Sequence, residues 1–198
     1  MCATPRPPPR LERRACLLER LPLLCTLLVA APACGPDPPP RWAEGGTDLP
    51  LAAARWDRED GEVIELTADG QVLDDGDLEH VVDRVGRVTT SDYEPLALLL
   101  ADGRLAGLDS VYLGRVGLRN ASPPWRESAW VALLPSGEVM RFDDDGTRHP
   151  DGRWQGCEGP QLRACTLVTH VVLLDRRAAR RSRSGSGFSL GTGVMIMR

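Results

Sequence analysis

Lysine is absent from this 198-residue sequence, and histidine occurs only three times. All 24 positive charges are therefore arginine, a bias that we attribute to a GC-rich genome and from which we draw no function. A long hydrophobic run is missing too. The most hydrophobic stretch covers residues 21–33, and 13 residues are too few to cross the hydrocarbon of a bilayer. The sequence therefore gives no permanent membrane helix.

Sequence motifs for catalysis are also missing. The chain has no G-x-S-x-G nucleophile elbow, and His80 or His149 could act as a general base only beside a nucleophile and an orienting partner. The candidate calcium ligands are Asp143, Asp145 and Asp151, but they lack the twelve-residue loop and terminal glutamate of an EF-hand, and a solvated turn is favoured. The sequence implies no cofactor and no metal, and it favours a protein that is not an enzyme.

The charges divide the chain into three parts. The leader through Cys34 has five arginines and two glutamates, residues 35–175 have 13 arginines and 26 acids, and residues 176–198 have six arginines and no acid. An acidic body should repel nucleic acid, so no nucleic-acid partner is expected. The basic segment 176–198 has too little apolar surface to fold alone, and we predict a disordered tail there.

The N-terminal region has the pattern of an export signal. Arginines precede the hydrophobic stretch, which ends in small residues, so residues 1–33 are predicted to be a signal peptide. Residues 34–50 are rich in proline and glycine and are predicted to form a tether.

The end of this signal, Ala31, Pro32, Ala33 and Cys34, resembles the lipobox of bacterial lipoproteins. The resemblance implies that Cys34 is lipidated and becomes the mature N-terminus, so the membrane is a partner through a lipid anchor in the bacterial cell envelope. Gly35 stands where an aspartate would retain the protein at the inner membrane, which by resemblance favours the outer membrane. The alternatives are a cleaved signal with an incidental cysteine, and a cytosolic protein with an apolar N-terminal helix.

Three segments of the body share one plan, in which an apolar run, a glycine turn and a second apolar run follow one another: residues 63–77, 96–110 and 130–146. Their glycines, Gly70, Gly103 and Gly137, are 33 and 34 residues apart. Asp-Gly or Ser-Gly between strand-like runs predicts a hairpin with a tight primed turn, since glycine adopts positive φ without steric cost. A degenerate fourth copy is predicted to begin within residues 170–179.

The predicted hairpins define the fold class. Val72, Leu105 and Val139 each lie two residues beyond the repeat glycine and are predicted to face one core. The segments between copies have room for one or two further strands, although residues 77–84 could form a turn or two of helix. We therefore predict a mainly β domain over residues 51–175, with repeated antiparallel hairpins in a sheet stack, partial propeller or barrel, and scarcely any helix.

The pattern of apolar run, Asp-Gly and apolar run also resembles the hairpins of propeller-type repeats, including the regulator-of-chromosome-condensation type and the WG repeats of bacterial surface proteins. The chain lacks the Trp-Gly that follows the second strand in those repeats. The resemblance therefore implies hairpins and no binding residues.

Cys157 and Cys165 are the two cysteines that remain in the body after removal of the signal. An even pair this close together is typical of a disulfide-closed loop in an exported protein. Metal binding by the two thiolates would need further ligands, and His149 and His170 do not have the spacing of a zinc site.

Two functions remain open. The first is an envelope-anchored β-domain that binds or scaffolds a protein, a glycan or a cation. The second is an exported hydrolase in which His80 or His149 converges with carboxylates, and a histidine placed with two acids in a concave pocket would favour it. The five tryptophans could line a groove, although core positions are their commoner use.

Overall fold

The computed structural model describes residues 35–185, which form a closed antiparallel β-barrel of twelve short strands around one helix. Each strand pairs with its neighbours in sequence, and β1 pairs with β12 to close the barrel. The strands are β1 (Ala54–Asp57), β2 (Val63–Leu66), β3 (Gln71–Asp74), β4 (Asp77–Val82), β5 (Arg87–Thr90), β6 (Pro95–Leu99), β7 (Arg104–Gly107), β8 (Tyr112–Val116), β9 (Asn120–Ser122), β10 (Val131–Leu133), β11 (Glu138–Phe142) and β12 (Arg148–Gln155). The predicted mainly β class is confirmed, and the barrel is the form it takes.

The three repeats are hairpins that recur around the barrel. They form the pairs β2/β3, β6/β7 and β10/β11, and two further strands lie between successive hairpins. One repeat therefore corresponds to four strands, and three repeats complete the barrel. Val72, Leu105 and Val139 are at most 1% exposed, which confirms the predicted inward face.

The repeat glycines adopt positive φ as predicted, with values of 93° at Gly70, 87° at Gly103 and 83° at Gly137. The predicted primed turn is nevertheless wrong. At the first hairpin the Gly70 N–H donates to the carbonyl of Thr67, and the glycine is the third residue of a three-residue loop. A Cβ at Gly70 would lie 1.9 Å from the carbonyl oxygen of Val82, so the close approach of the backbone also requires glycine.

Helix α1 (Leu162–Gly185) fills the barrel with its first half. From Leu162 to Leu173 every side chain except that of Arg163 is buried, because the barrel wall surrounds the helix on all sides. The predicted fourth hairpin within residues 170–179 is therefore wrong, as is the expectation of scarcely any helix. Residues 77–84 are also not helical, since Asp77–Val82 is strand β4.

The two ends of the barrel are distinguished by this helix. At the lower end, where α1 begins, Thr166 donates a hydrogen bond to the carbonyl of Leu118 in the loop after β8. At the upper end, where α1 leaves the barrel, Arg176 forms ion pairs with Glu62 and Asp74. Residues 176–185 of the predicted disordered tail thus continue the helix, and residues 186–198 lie outside the described part of the chain.

The segment that precedes β1 contains neither helix nor strand, as predicted, but it contacts the barrel. The Asp37 N–H donates to the Asp109 carboxylate in an upper-end loop at 2.8 Å, and the Thr47 N–H donates to the carbonyl of Leu99 at 3.0 Å. Leu49 is 1% exposed. The predicted tether of residues 34–50 therefore packs along the barrel from residue 37 onward. The predicted signal, residues 1–33, and Cys34 lie outside the described residues.

The Cys157–Cys165 disulfide is present and confirms the predicted pair. It joins the segment after β12 to the first turn of α1, where Cys165 is fully buried. The bridge therefore fixes the start of the helix that fills the barrel. Within residues 35–185, no helix has the length and apolar character needed to cross a membrane.

Candidate functional site

A cavity of about 340 Å³ opens at the upper end of the barrel, between α1, the end of β11 and the loops that follow β1, β9 and β11. We call it the arginine cavity because guanidinium groups dominate its wall. Its lining residues are Arg58, Arg126, Trp130, Arg141, Phe142, Asp143, Asp144, Leu173, Arg176, Arg177 and Arg180. Six arginines thus face one space together with two aspartates and three large apolar side chains.

Arg58, which directly follows β1, supplies the most buried of these guanidinium groups. Its side chain is 3% exposed and lies 3.1 Å from the carboxylate of Asp151, which is 4% exposed. Arg141 reaches the other oxygen of the same carboxylate at 3.1 Å, and the Arg58 guanidinium stacks 5.1 Å from the ring of Trp56. Asp151 therefore holds two arginines of the cavity in place by charge.

Arg126 lies in the loop between β9 and β10. Its guanidinium donates to three backbone carbonyls: that of Ala129 in the same loop, that of Phe142 at the end of β11 and that of Asp143 just beyond it. It also forms an ion pair with Asp144 at 3.1 Å, although that carboxylate is 75% exposed. These hydrogen bonds fix the β9–β10 loop against the end of β11.

The last turns of α1 supply the remaining arginines. Arg176 is neutralised by Glu62 and Asp74 of the β1–β2 loop and β3. Arg177 forms no ion pair within residues 35–185, and its guanidinium stacks 4.2 Å from the ring of Trp125. Arg177 therefore adds a positive charge to the cavity without a carboxylate partner from the described chain.

Several of these arginines have an unused donor. Among residues 35–185, six buried side-chain nitrogens lack a hydrogen-bond partner, and four of them line the arginine cavity: Nε of Arg58, Arg126, Arg141 and Arg177. Arg141 Nε lies near Asp151 without the geometry of a hydrogen bond. Because a buried unsatisfied donor costs about 1–3 kcal/mol, such a cluster calls for an acceptor.

The candidate calcium ligands do not converge. Asp143 and Asp145 lie in the exposed turn between β11 and β12, where the Asp145 carboxylate accepts the backbone N–H of Thr147, an interaction that lowers the pKa of Asp145. Asp151 lies inside β12 and is occupied by arginines. In the described part of the chain, no three His, Cys, Asp or Glu side chains are grouped as metal ligands.

A second cavity, of about 370 Å³, lies against α1 on the side of β2 to β4. His80 Nε2 lies 2.7 Å from the carboxylate of Asp175, and Asp74 and Glu79 line the same space. Burial is the main cause that raises the pKa of Asp74, and repulsion from neighbouring carboxylates raises it further. Among residues 35–185, no serine, threonine or cysteine lines this cavity, so the described chain brings a histidine and acids together without a side-chain nucleophile.

The other two histidines are placed very differently. His149 contacts Asp143 at 2.8 Å in the exposed β11–β12 turn. His170 lies on α1 inside the barrel, where its Nδ1 accepts the indole N–H of Trp130 at 2.8 Å and its Nε2 lies 2.9 Å from the carbonyl of Leu113. Burial lowers the pKa of His170 to about 4. His170 is therefore a neutral core residue and is closed to ligands.

The tryptophans are used mainly in the core. Trp56, Trp130 and Trp154 are at most 9% exposed, and Trp56 stacks on Trp154 at 5.8 Å. Trp125 is 39% exposed and lies beneath Arg177, which lines the arginine cavity. They do not form an open aromatic groove.

Sequence reasoning missed the arginine cavity. Its arginines come from four separate places in the chain, and only the barrel brings Arg58, Arg126 and Arg141 together. The one local signal is the basic run that begins at Arg176, and its composition predicts a disordered tail.

Comparison of the chain with protein-family models, with curated proteins and with solved structures gave no match. Fold and site therefore define the class: a helix-filled β-barrel with an arginine-lined cavity at one end.

Proposed function

We propose that this protein is a lipid-anchored component of the bacterial cell envelope whose β-barrel is a ligand-binding domain. The observation that supports binding is the arginine cavity, which combines a charged wall with apolar side chains and has unused donors. Its volume lies at the lower end of the range for small-molecule sites, about 300–1,000 Å³. Export is supported by the disulfide, because such bonds persist in oxidising compartments.

The short segment between Cys34 and Asp37 supports an orientation of the barrel relative to the membrane. Asp37 is held at the upper end through Asp109, and Cys34 precedes it by three residues. Three residues of extended chain span about 10 Å at most. A lipid on Cys34 would therefore hold the end that carries the arginine cavity close to the membrane.

The anchor is tested by expressing the full chain in a bacterium and measuring the mass of the mature N-terminus. We expect an acylated Cys34 and partition into the detergent phase, whereas Cys34→Ala should stay unprocessed. Cys25→Ala is the matched control, because it removes a leader cysteine and leaves the lipobox-like segment intact. A wild-type chain that keeps an unmodified Met1 in the soluble fraction would refute the proposal.

An exported hydrolase remains a second candidate, because His80 and three acids share one cavity. His80 Nε2 contacts the Asp175 carboxylate, and in the described chain His80 Nδ1 is buried without a partner. Hydrolysis would therefore need a water molecule that is activated by an acid of this cavity, or by His80 after its side chain has moved away from Asp175. The test is hydrolysis of p-nitrophenyl acetate by wild type and His80→Gln. A rate that disappears in the variant would favour the hydrolase, and equal background rates would favour binding.

A further inference from the structure

We infer that the arginine cavity binds an organic phosphate, with the phosphate group among the guanidinium groups and its organic part against Trp130, Phe142 and Leu173. This inference names the ligand class of the proposed binding domain and rests on that proposal for its choice of site. It is argued from the charge, the unused donors and the apolar wall of the cavity.

The charge of the wall favours an anion. Six arginines and two aspartates line the cavity, and the aspartates are at its exposed rim, with side chains that are 64% and 75% exposed. The deeper carboxylate of Asp151 is shared by Arg58 and Arg141. Asp60, Glu62 and Asp74 pair with Arg58 and Arg176 beside the cavity. Arg177 has no carboxylate partner in the described chain, so an anion can bind beside its charge without displacing an ion pair.

The unused donors favour an acceptor with several oxygens. Four Nε–H groups around one cavity lack a partner, and Arg58, which supplies one of them, is 93% buried. A guanidinium group presents donors in a planar fork that matches carboxylate and phosphate geometry. Phosphate offers more acceptor oxygens than a carboxylate, so it suits a wall whose guanidinium groups come from β1, β9–β11 and α1 together.

The apolar side chains favour an organic ester over the free ion. Trp130 and Leu173 are 9% and 6% exposed, and they form a wall beside the arginines together with Phe142. An inorganic ion leaves this wall in contact with water. A phosphate with a small apolar group covers it, and burial of that group strengthens binding.

Calorimetry on the full-length processed protein in mild detergent tests the inference with three probes: inorganic phosphate, phenyl phosphate, and mixed micelles that contain phosphatidic acid. We expect phenyl phosphate to bind about tenfold more tightly than inorganic phosphate. The micelles distinguish the source of the phosphate, because a response to micelles that exceeds the response to phenyl phosphate indicates a lipid headgroup. Either source supports a phosphate ligand.

Two variants test the site itself. Arg177→Gln removes the unpaired charge and should weaken phenyl phosphate binding about tenfold, since a hydrogen bond to a charged group contributes that much. Asp144→Asn removes an exposed negative charge from the rim and should strengthen binding severalfold. Arg104→Gln is the control, because Arg104 is 60% exposed and lies at the lower end of the barrel.

The inference is overturned if no probe binds to the correctly folded protein, or if Arg177→Gln and Arg104→Gln bind phenyl phosphate as tightly as wild type. Neither result bears on lipidation of Cys34, which is measured by mass. A failed ligand and a failed anchor are therefore separate outcomes.

Discussion

The buried histidine of helix α1 should make the stability of the barrel depend on pH. His170 is fully buried and hydrogen-bonded on both ring nitrogens, with Nδ1 as acceptor from Trp130 and Nε2 as donor to Leu113. A second proton would place a donor on Nδ1 opposite the indole N–H. The neutral form is therefore required, and burial lowers the pKa of His170 from 6.5 to about 4.

The effect on stability follows from linkage. Between pH 6.5 and 4 the unfolded chain binds a proton at this histidine and the folded chain does not, so the free energy of unfolding falls as the pH falls through that window. The neutral His170 makes its full contribution to the free energy of unfolding above pH 6.5. One pH unit within the window corresponds to about 1.4 kcal/mol, so lowering the pH from 7 to 5 should cost about 2 kcal/mol.

The assay is urea unfolding followed by tryptophan fluorescence at pH 7 and pH 5. Gln can accept from Trp130 and donate to Leu113 without titrating, so His170→Gln should lose about 2 kcal/mol less than wild type between the two pH values. His149→Gln is the control, because it makes the same replacement at an exposed histidine. Equal losses in wild type and His170→Gln would refute the reasoning.

Two further substitutions test how the barrel accommodates α1 and its ion pairs, and both are measured by urea unfolding at pH 7. Gly114→Ala should destabilise by about 3 kcal/mol or more, because Gly114 has a φ of 117° and a Cβ would lie 2.2 Å from the Ser122 carbonyl oxygen; a loss below about 1 kcal/mol would contradict this. Asp151→Asn should cost about 3 kcal/mol, because it removes the buried carboxylate that faces Arg58. Asp145→Asn is its exposed control and should cost much less, because the amide oxygen of Asn can still accept the Thr147 N–H.

The β-barrel was predictable from the sequence because its signal is local and repeated. Each hairpin has a glycine at a position where backbone φ must be positive, and a β-branched or leucine side chain two residues later faces the core. The period between Gly70, Gly103 and Gly137 predicted the repeat correctly. The turn type was wrong because a three-residue loop and a primed turn both place glycine at the tip, and only the backbone distinguishes them.

The helix was missed because its environment removes the usual signal. An amphipathic helix shows apolar residues every three or four positions, but the first half of α1 is enclosed by the barrel and is buried on nearly every side, with Thr166, Thr169 and His170 among its apolar residues. The helix also contains Val168, Val171 and Val172, and β-branched residues favour β-strand by local propensity. Burial inside the barrel outweighs that preference, and this is a tertiary effect that no local pattern reports.

Helix α1 connects the core of the barrel to the arginine cavity. Its buried half positions the helix through the disulfide and His170, and its last turns place Leu173, Arg176 and Arg177 in the cavity wall. A ligand bound there contacts the helix and the barrel together, and it binds the folded chain only. Binding should therefore stabilise the whole domain, by about 2.7 kcal/mol when the ligand is present at one hundred times its dissociation constant. Arg177 is half-buried, and its Nε has no partner within residues 35–185 of the unliganded protein. Arg177→Gln should therefore change the stability of the unliganded barrel little, and its tenfold weaker binding should reduce the gain to about 1.4 kcal/mol.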